Sequence, residues 1–295
     1  MESQRSLFDI PEDVTYLNAA YLGPRLRSVD AAGRAALART ARPWEIAPEH
    51  FFFDAEVARE RFASLVGGDA DGVALVPSVS YGIALASKNL PLPRGKNVVV
   101  LDEQFPSNVY EWRDAAARAE AAVVTVPRPG DHDWTRPVLG YVDDDTAIVA
   151  VPNCHWTDGT VVDLVRVGEA ARAVGAALVV DVTQSLGVRP LDVREVRPDW
   201  LVVAGYKWML GPFSLGYCWV APHLREGEPL ERNWLTRAGA EDFAGWCGTR
   251  TRSLRGRGGT TWGSVRTSTS YRWASRRWSS CCSGAPARSR TTSGS

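Results

Sequence analysis

Lysine is scarce here: of 34 basic side chains only three are lysine, Lys88, Lys96 and Lys207. With so few, each needs a reason. Lys88 falls on a predicted helix and Lys96 in the polar turn Pro93-Arg94-Gly95-Lys96-Asn97, where solvent is reason enough. Lys207 is different, because it follows the apolar run Trp200-Leu201-Val202-Val203-Ala204 and then Gly205-Tyr206. Long hydrophobic runs are also missing: nothing approaches about 18 uninterrupted apolar residues, so no membrane-spanning helix is expected. The opening Met1-Glu2-Ser3-Gln4-Arg5 begins no apolar leader, and a cytoplasmic location is the expectation. The five cysteines are odd in number and scattered, with no CxxC pair, which argues against a disulfide framework and against zinc; no metal is expected.

Acidic residues vanish after Asp242, as does lysine, while ten arginines lie between Arg250 and Arg290. Removing those ten from the 34 basic residues leaves 24 basic against 34 acidic, so the formal net charge of zero averages an acidic body with a basic tail. An acidic body gives no sign of nucleic-acid binding.

What is present is a regular alternation. Short apolar runs at 73–76, 97–101, 121–126, 147–151, 177–180 and 200–204 read as strands. Amphipathic or Ala-rich stretches at 28–40, 54–66, 78–88, 108–119 and 164–174 read as helices, with Ser28 capping the first and Gly67-Gly68 stopping the second. Strands alternating with helices predict an α/β fold, a mostly parallel sheet covered on both faces. Ligands in such folds lie beyond the carboxyl ends of the strands. There the sequence places Pro77 to Gly82, Asp102 to Ser107, Pro152 to Gly159, Asp181 to Ser185 and Lys207. Singly, each has an ordinary reading: Ser78 or Ser80 as a helix cap, Phe105 as loop packing, His155 as a satisfied structural histidine, Lys207 as a lysine reaching solvent.

Together they match the needs of pyridoxal phosphate: an amine for a Schiff base, a carboxylate for the pyridine nitrogen, a planar side chain to stack on the ring, and a helix N-terminus for the phosphate. The candidates are Lys207, Asp181, Phe105 and the Val79/Ser80 turn. Tyr16-Leu17-Asn18-Ala19-Ala20, Ser78 to Gly82, Phe105 to Tyr110, Asn153, Asp181 to Gly187 and Gly205-Tyr206-Lys207-Trp208 resemble the class V aminotransferase group of fold-type I pyridoxal phosphate enzymes. That group includes isopenicillin N epimerase-like, kynureninase-like and cysteine desulfurase-like proteins, and the resemblance covers residues 10–245. It implies that Lys207 carries the cofactor and moves a proton at the substrate α-carbon. It also implies that Asp181 pairs with the pyridine nitrogen, that Gln184 hydrogen-bonds the phenolic oxygen and that Asn153 lines the ring edge, with Val79, Ser80 and Tyr206 holding the phosphate. An amino-acid substrate and a homodimer are implied as well. Phe105 stands where desulfurases carry a histidine, and a phenyl ring cannot shuttle a proton, so epimerisation, transamination or a lyase reaction ranks above desulfuration.

Three segments are expected: an N-terminal segment at 1–25, a cofactor-binding large domain at 26–245 and a tail at 246–295. The tail turns to Arg, Ser, Thr, Gly and Trp with one Leu and one Val, and loses all apolar period. One reading is a basic tail of the RNA-binding glycine-arginine kind. Another is out-of-frame translation of a GC-rich gene. Joining the last base of each codon to the first two of the next permits Gly-Ile-Ala-Ala-Leu-Glu-Gln-Leu-Leu from Trp273 to Cys282, an amphipathic helix hidden in a string that has none. On that expectation a missing base near Gly245 replaces the family's C-terminal domain, and the chain binds cofactor weakly or acts as an inactive remnant or regulatory partner.

Overall fold

A computed structural model describes residues 2–232. The expected tail and the last stretch of the expected large domain, 233–245, lie outside the described residues.

Seven strands form one sheet: β1 (Val73–Val76), β2 (Asn97–Leu101), β3 (Ala122–Val126), β4 (Thr146–Pro152), β5 (Ala177–Asp181), β6 (Trp200–Ala204) and β7 (Gly216–Val220), in the order β1-β7-β6-β5-β4-β2-β3. The pairs β2/β3, β2/β4, β4/β5 and β5/β6 are parallel; β7 runs antiparallel to both β6 and β1. Being antiparallel to the same strand, β1 and β6 point the same way. Six carboxyl ends therefore meet at one edge of the sheet, and the loops of interest leave from that edge.

The helices are α1 (Arg27–Thr40), α2 (Phe53–Val66), α3 (Val79–Asn89), α4 (Tyr110–Ala119), α5 (Thr135–Tyr141), α6 (Leu164–Ala173) and the single turn α7 (Val193–Val196). Alternate residues of a strand point to opposite faces. Val99, Leu101, Val149, Val151, Leu178, Val180, Leu201 and Val203 accordingly pack on one side with residues of α2, α5, α6 and α7. Val98, Val100, Ile148, Ala150, Val179, Trp200 and Val202 pack on the other, with α3 and with Trp112 of α4. Because both faces are covered, the central strands are apolar throughout rather than alternating.

Local signals set the helix ends. Asp163 caps α6 by accepting the N–H groups of Val165 and Arg166 at 3.2 Å each. Gly67, at φ 69°, ends α2 in the left-handed region that glycine occupies without strain. The expected cap at Ser28 is not found: α1 starts at Arg27, and Leu26 before it is drawn into an antiparallel bridge with Phe8. Three elements add to the expected set: β7, α5 and the single turn α7. β7 is a short run after a Gly-Pro loop, and α5 is a two-turn helix too short to show a period. Among the described residues no helix is long and apolar enough to cross a membrane.

Candidate active site

The carboxyl edge opens into a cavity of about 600 Å3, mouth included, at the ends of β2, β4, β5 and β6 and the start of α3. Lys207 and Asp181 both line it and both are buried, at 7% exposure each.

Lys207 is delivered by a tight loop after β6. Gly205 donates to Leu215 O at 2.9 Å, Gly211 donates back to Gly205 O at 2.8 Å, and Leu210 donates to Lys207 O at 3.1 Å with its φ at 58°. A non-glycine residue in that region is uncommon and is tolerated because the surrounding bonds hold it. The N-terminal segment crosses over this loop, where Gly23 donates to Tyr206 O at 2.9 Å. A Cβ on Gly23 would lie 2.0 Å from Lys207 O, so only glycine permits the crossing.

Burial lowers the Lys207 pKa, and the charge of Asp181 opposes that shift. Burial raises Asp181, while hydrogen bonds from Thr183 and the charge of Lys207 pull it back. The two groups favour each other's charged form and the dry setting disfavours both, so the amine is more readily neutral than an ordinary lysine. The Lys207 Nζ lies 5.1 Å from the centre of the Phe105 ring. Phe105 meets Trp156 edge to face at 5.5 Å, and the Trp156 indole donates to Glu103 O at 2.7 Å.

At the floor, Ser78 Oγ accepts the Tyr81 N–H at 3.1 Å. The Val79 and Ser80 N–H groups have no carbonyl one turn back in the helix and stay available to an acceptor. The 11-residue α3 directs its positive end there.

Of the expected site residues, Val79, Phe105, Asp181, Gln184, Tyr206 and Lys207 line this cavity. Ser80, which is exposed, and Asn153, which is buried, are not among its lining residues. The Ser80 hydroxyl is turned to Ser107 Oγ at 3.0 Å, and the Asn153 amide donates to Val162 O at 3.3 Å. His155 has the structural role: it is fully buried, its ring nitrogens meet Asp102 O at 3.0 Å and Thr157 Oγ1 at 2.9 Å, and burial lowers its pKa. Cys154 lines the cavity, but burial raises its thiol, and burial pushes Cys218 up to about 12; neither is a ready thiolate.

Thr183 went unread in the sequence. Its N–H donates to Asp181 Oδ1 at 2.9 Å and its hydroxyl accepts the Ala204 N–H at 3.0 Å, so it joins the carboxylate to the lysine strand. The Asp-x-Thr spacing was its only available signal. Trp156 was noted merely as part of a loop, and nothing local marks it as a wall of the site.

Among curated proteins the chain is similar to the uncharacterized aminotransferase YcbU of Bacillus subtilis (strain 168), 32% identical over 193 residues, covering 64% of this chain and 50% of that protein. It is 28% identical over 182 residues to the isopenicillin N epimerase of Streptomyces clavuligerus, covering 60% of this chain and 46% of the other. The chain thus spans about half the length of these relatives. Among solved structures, a mutant of C-DES with glycine covalently linked to its PLP cofactor superimposes with a TM-score of 0.74 at 20% identity, over 81% of this chain and 66% of that one. That likeness shows a shared fold. The stretch that forms the sheet and carries both Asp181 and Lys207 falls within residues 42–234, which match the family model described as Aminotransferase class-V, and the chain belongs to that family.

Proposed function

We propose that this site binds pyridoxal phosphate on Lys207 and serves an enzyme acting on an amino acid, of epimerase, aminotransferase or lyase type. The observation that carries the reading is the buried Lys207 amine, its pKa lowered by burial, facing the Phe105 ring in a cavity shared with the buried Asp181. The donor set fits the cofactor. Asp181 is a carboxylate raised by burial, so a protonated ring nitrogen is the charge partner that would restore its ionised form. Phe105, 37% exposed, leaves part of its face free for a planar ring. The open N–H groups of Val79 and Ser80 suit a phosphate.

Pyridoxal phosphate, when bound, supplies an electron-withdrawing ring that stabilises negative charge on the carbon beside the substrate amine. The chain does the rest. Asp181 would keep the ring nitrogen protonated, Phe105 and Trp156 would help to keep water from the ring, and the start of α3 with Tyr206 would hold the phosphate. Lys207, in its neutral form, would take or return a proton at the substrate α-carbon. Phe105 cannot carry a proton, and Cys154 and Cys218 are not activated, which keeps desulfuration below the other reactions. A homodimer belongs to the same reading, and exposed Leu17, Trp44 and Phe53 offer apolar surface of the kind such contacts cover.

Borohydride reduction of the cofactor-loaded protein, followed by peptide mass spectrometry, tests the assignment. The cofactor mass is expected on the peptide holding Lys207 and not on those holding Lys88 or Lys96. Lys207→Ala should lose both the covalent adduct and the visible absorbance of the bound cofactor. An adduct elsewhere, or an unchanged spectrum in Lys207→Ala, would end the reading.

A further inference from the structure

Gln184 stands between two groups whose hydrogen-bonding roles cannot be exchanged. Its Oε1 accepts from the Trp208 indole N–H at 2.9 Å, and its Nε2 donates to Ala20 O at 3.1 Å. An indole N–H only donates and a backbone carbonyl only accepts. Flipping the amide would break both bonds at once. The orientation of Gln184 is therefore dictated by its neighbours. A primary amide nitrogen carries two hydrogens, and Ala20 takes one. Gln184 lines the cavity beside Asp181 and Lys207, and the second Nε2 hydrogen is the one donor it has left to offer there, beside one lone pair still open on Oε1.

The two neighbours come from opposite ends of the described chain and are themselves held in place. Trp208 follows Lys207 directly, and its backbone rests on Gly187. That glycine has φ 105°, and a Cβ there would come within 2.4 Å of Trp208 O. Ala20 belongs to the segment that Gly23 ties to Tyr206 O, and the Tyr16 hydroxyl closes the same segment by bonding to Leu22 O at 2.8 Å. Gln184, Trp208 and the N-terminal crossing thus form one unit around the lysine loop.

We propose that Trp208 is a positioning residue. With the Ala20 carbonyl it holds Gln184 as a hydrogen-bond donor toward an oxygen acceptor on the ring bound at Lys207. The inference rests on the cofactor reading given above. It extends that reading by assigning Trp208, 24 residues from Gln184 in sequence, the task of choosing which end of the amide faces the ligand.

Trp208→Phe keeps an aromatic ring and removes the N–H. It is expected to weaken binding of pyridoxal phosphate about five- to tenfold, the size of one lost hydrogen bond. Gln184→Ala should weaken it at least as much, and Trp208→Phe added to Gln184→Ala should bring little further loss, because the indole acts through the amide. Equal losses from Trp208→Phe in both backgrounds, or no loss in the first, would overturn the proposal. A second readout needs no cofactor. With 15N-labelled tryptophan, the indole resonance that disappears in Trp208→Phe identifies Trp208, and its exchange with solvent in the cofactor-free protein should speed up in Gln184→Ala. Unchanged exchange would show that the amide does not hold the indole, and would overturn the proposal on its own. If the unmodified chain fails to take up pyridoxal phosphate, the cofactor reading falls, and the exchange measurement still decides whether the indole and amide are joined.

Discussion

β2 buries all five of its residues, whereas α1, with 14, buries none. Both elements were legible as sequence, one as an apolar run and the other as an Ala-rich helix with Ser28 and Asp30 near its start. Periodicity and composition report what a segment can form locally. They do not report what will cover it. The sheet holds itself together through two packed faces. The N-terminal region, among the described residues, is tied down by backbone bonds such as Gly23 to Tyr206 and by exposed ion pairs such as Arg39 of α1 with Asp54 of α2.

This contrast can be broken at its strong side first. Leu201 is fully buried among the residues on one face of the sheet, and Leu201→Ala should destabilise the fold by about 2–5 kcal/mol in urea unfolding, through lost burial plus the cavity left behind. A value under about 1 kcal/mol would mean that the sheet is not the stable unit.

Gly23→Ala comes next, since its methyl would meet the backbone carbonyl of Lys207. The segment has to lift away, at a cost of about 1–3 kcal/mol. Tryptic cleavage after Arg25 and Arg27 should accelerate while the sheet remains protected. A cleavage rate equal to the parent's would sink the view that this glycine seats the segment.

A smaller effect is expected in acid. Burial alone would raise Asp158, but the Thr160 hydrogen bonds, Arg128 and His155 together hold it at about 2, against the ordinary 3.8. A depressed carboxylate lends stability that is present above its unfolded pKa and lost as pH falls through the folded one. Asp158→Asn should therefore lower stability at neutral pH and flatten its decline between about pH 4 and 2. After solvent screening the difference is on the order of 1 kcal/mol. Parallel acid curves for the two proteins would refute it. Smallest of all is Leu37→Ala on α1, where Leu37 is 74% exposed: the change should stay within about 0.5 kcal/mol. A larger loss would reveal a cover over α1.

The strands around the site could be read because strands buried on both faces are apolar without interruption, and a polar residue such as Asp181 then marks the end. Loop positions followed from those ends, and so did the grouping of Lys207, Asp181 and Phe105. Side-chain direction did not. Asn153 sits in the expected loop, but Val162, nine residues on, claims its amide. β7 escaped notice because five residues beginning with glycine carry little strand signal on their own. Gly216 is required there by the Val203 carbonyl, 2.6 Å from where a Cβ would stand, a neighbour that only the folded sheet supplies.

The scarcity of lysine has a chemical consequence. Lys88 pairs with Glu228 at 3.4 Å and donates to Pro229 O at 3.0 Å, and Lys96 donates to Asp144 O at 2.6 Å. Lys207 is the remaining side-chain amine, kept dry inside a cavity with an open mouth and lowered in pKa for that reason. On the proposed reading, a planar aldehyde small enough to enter would find close to a single address. Selectivity would then come from how few competing side-chain amines the chain carries as much as from the shape of the site.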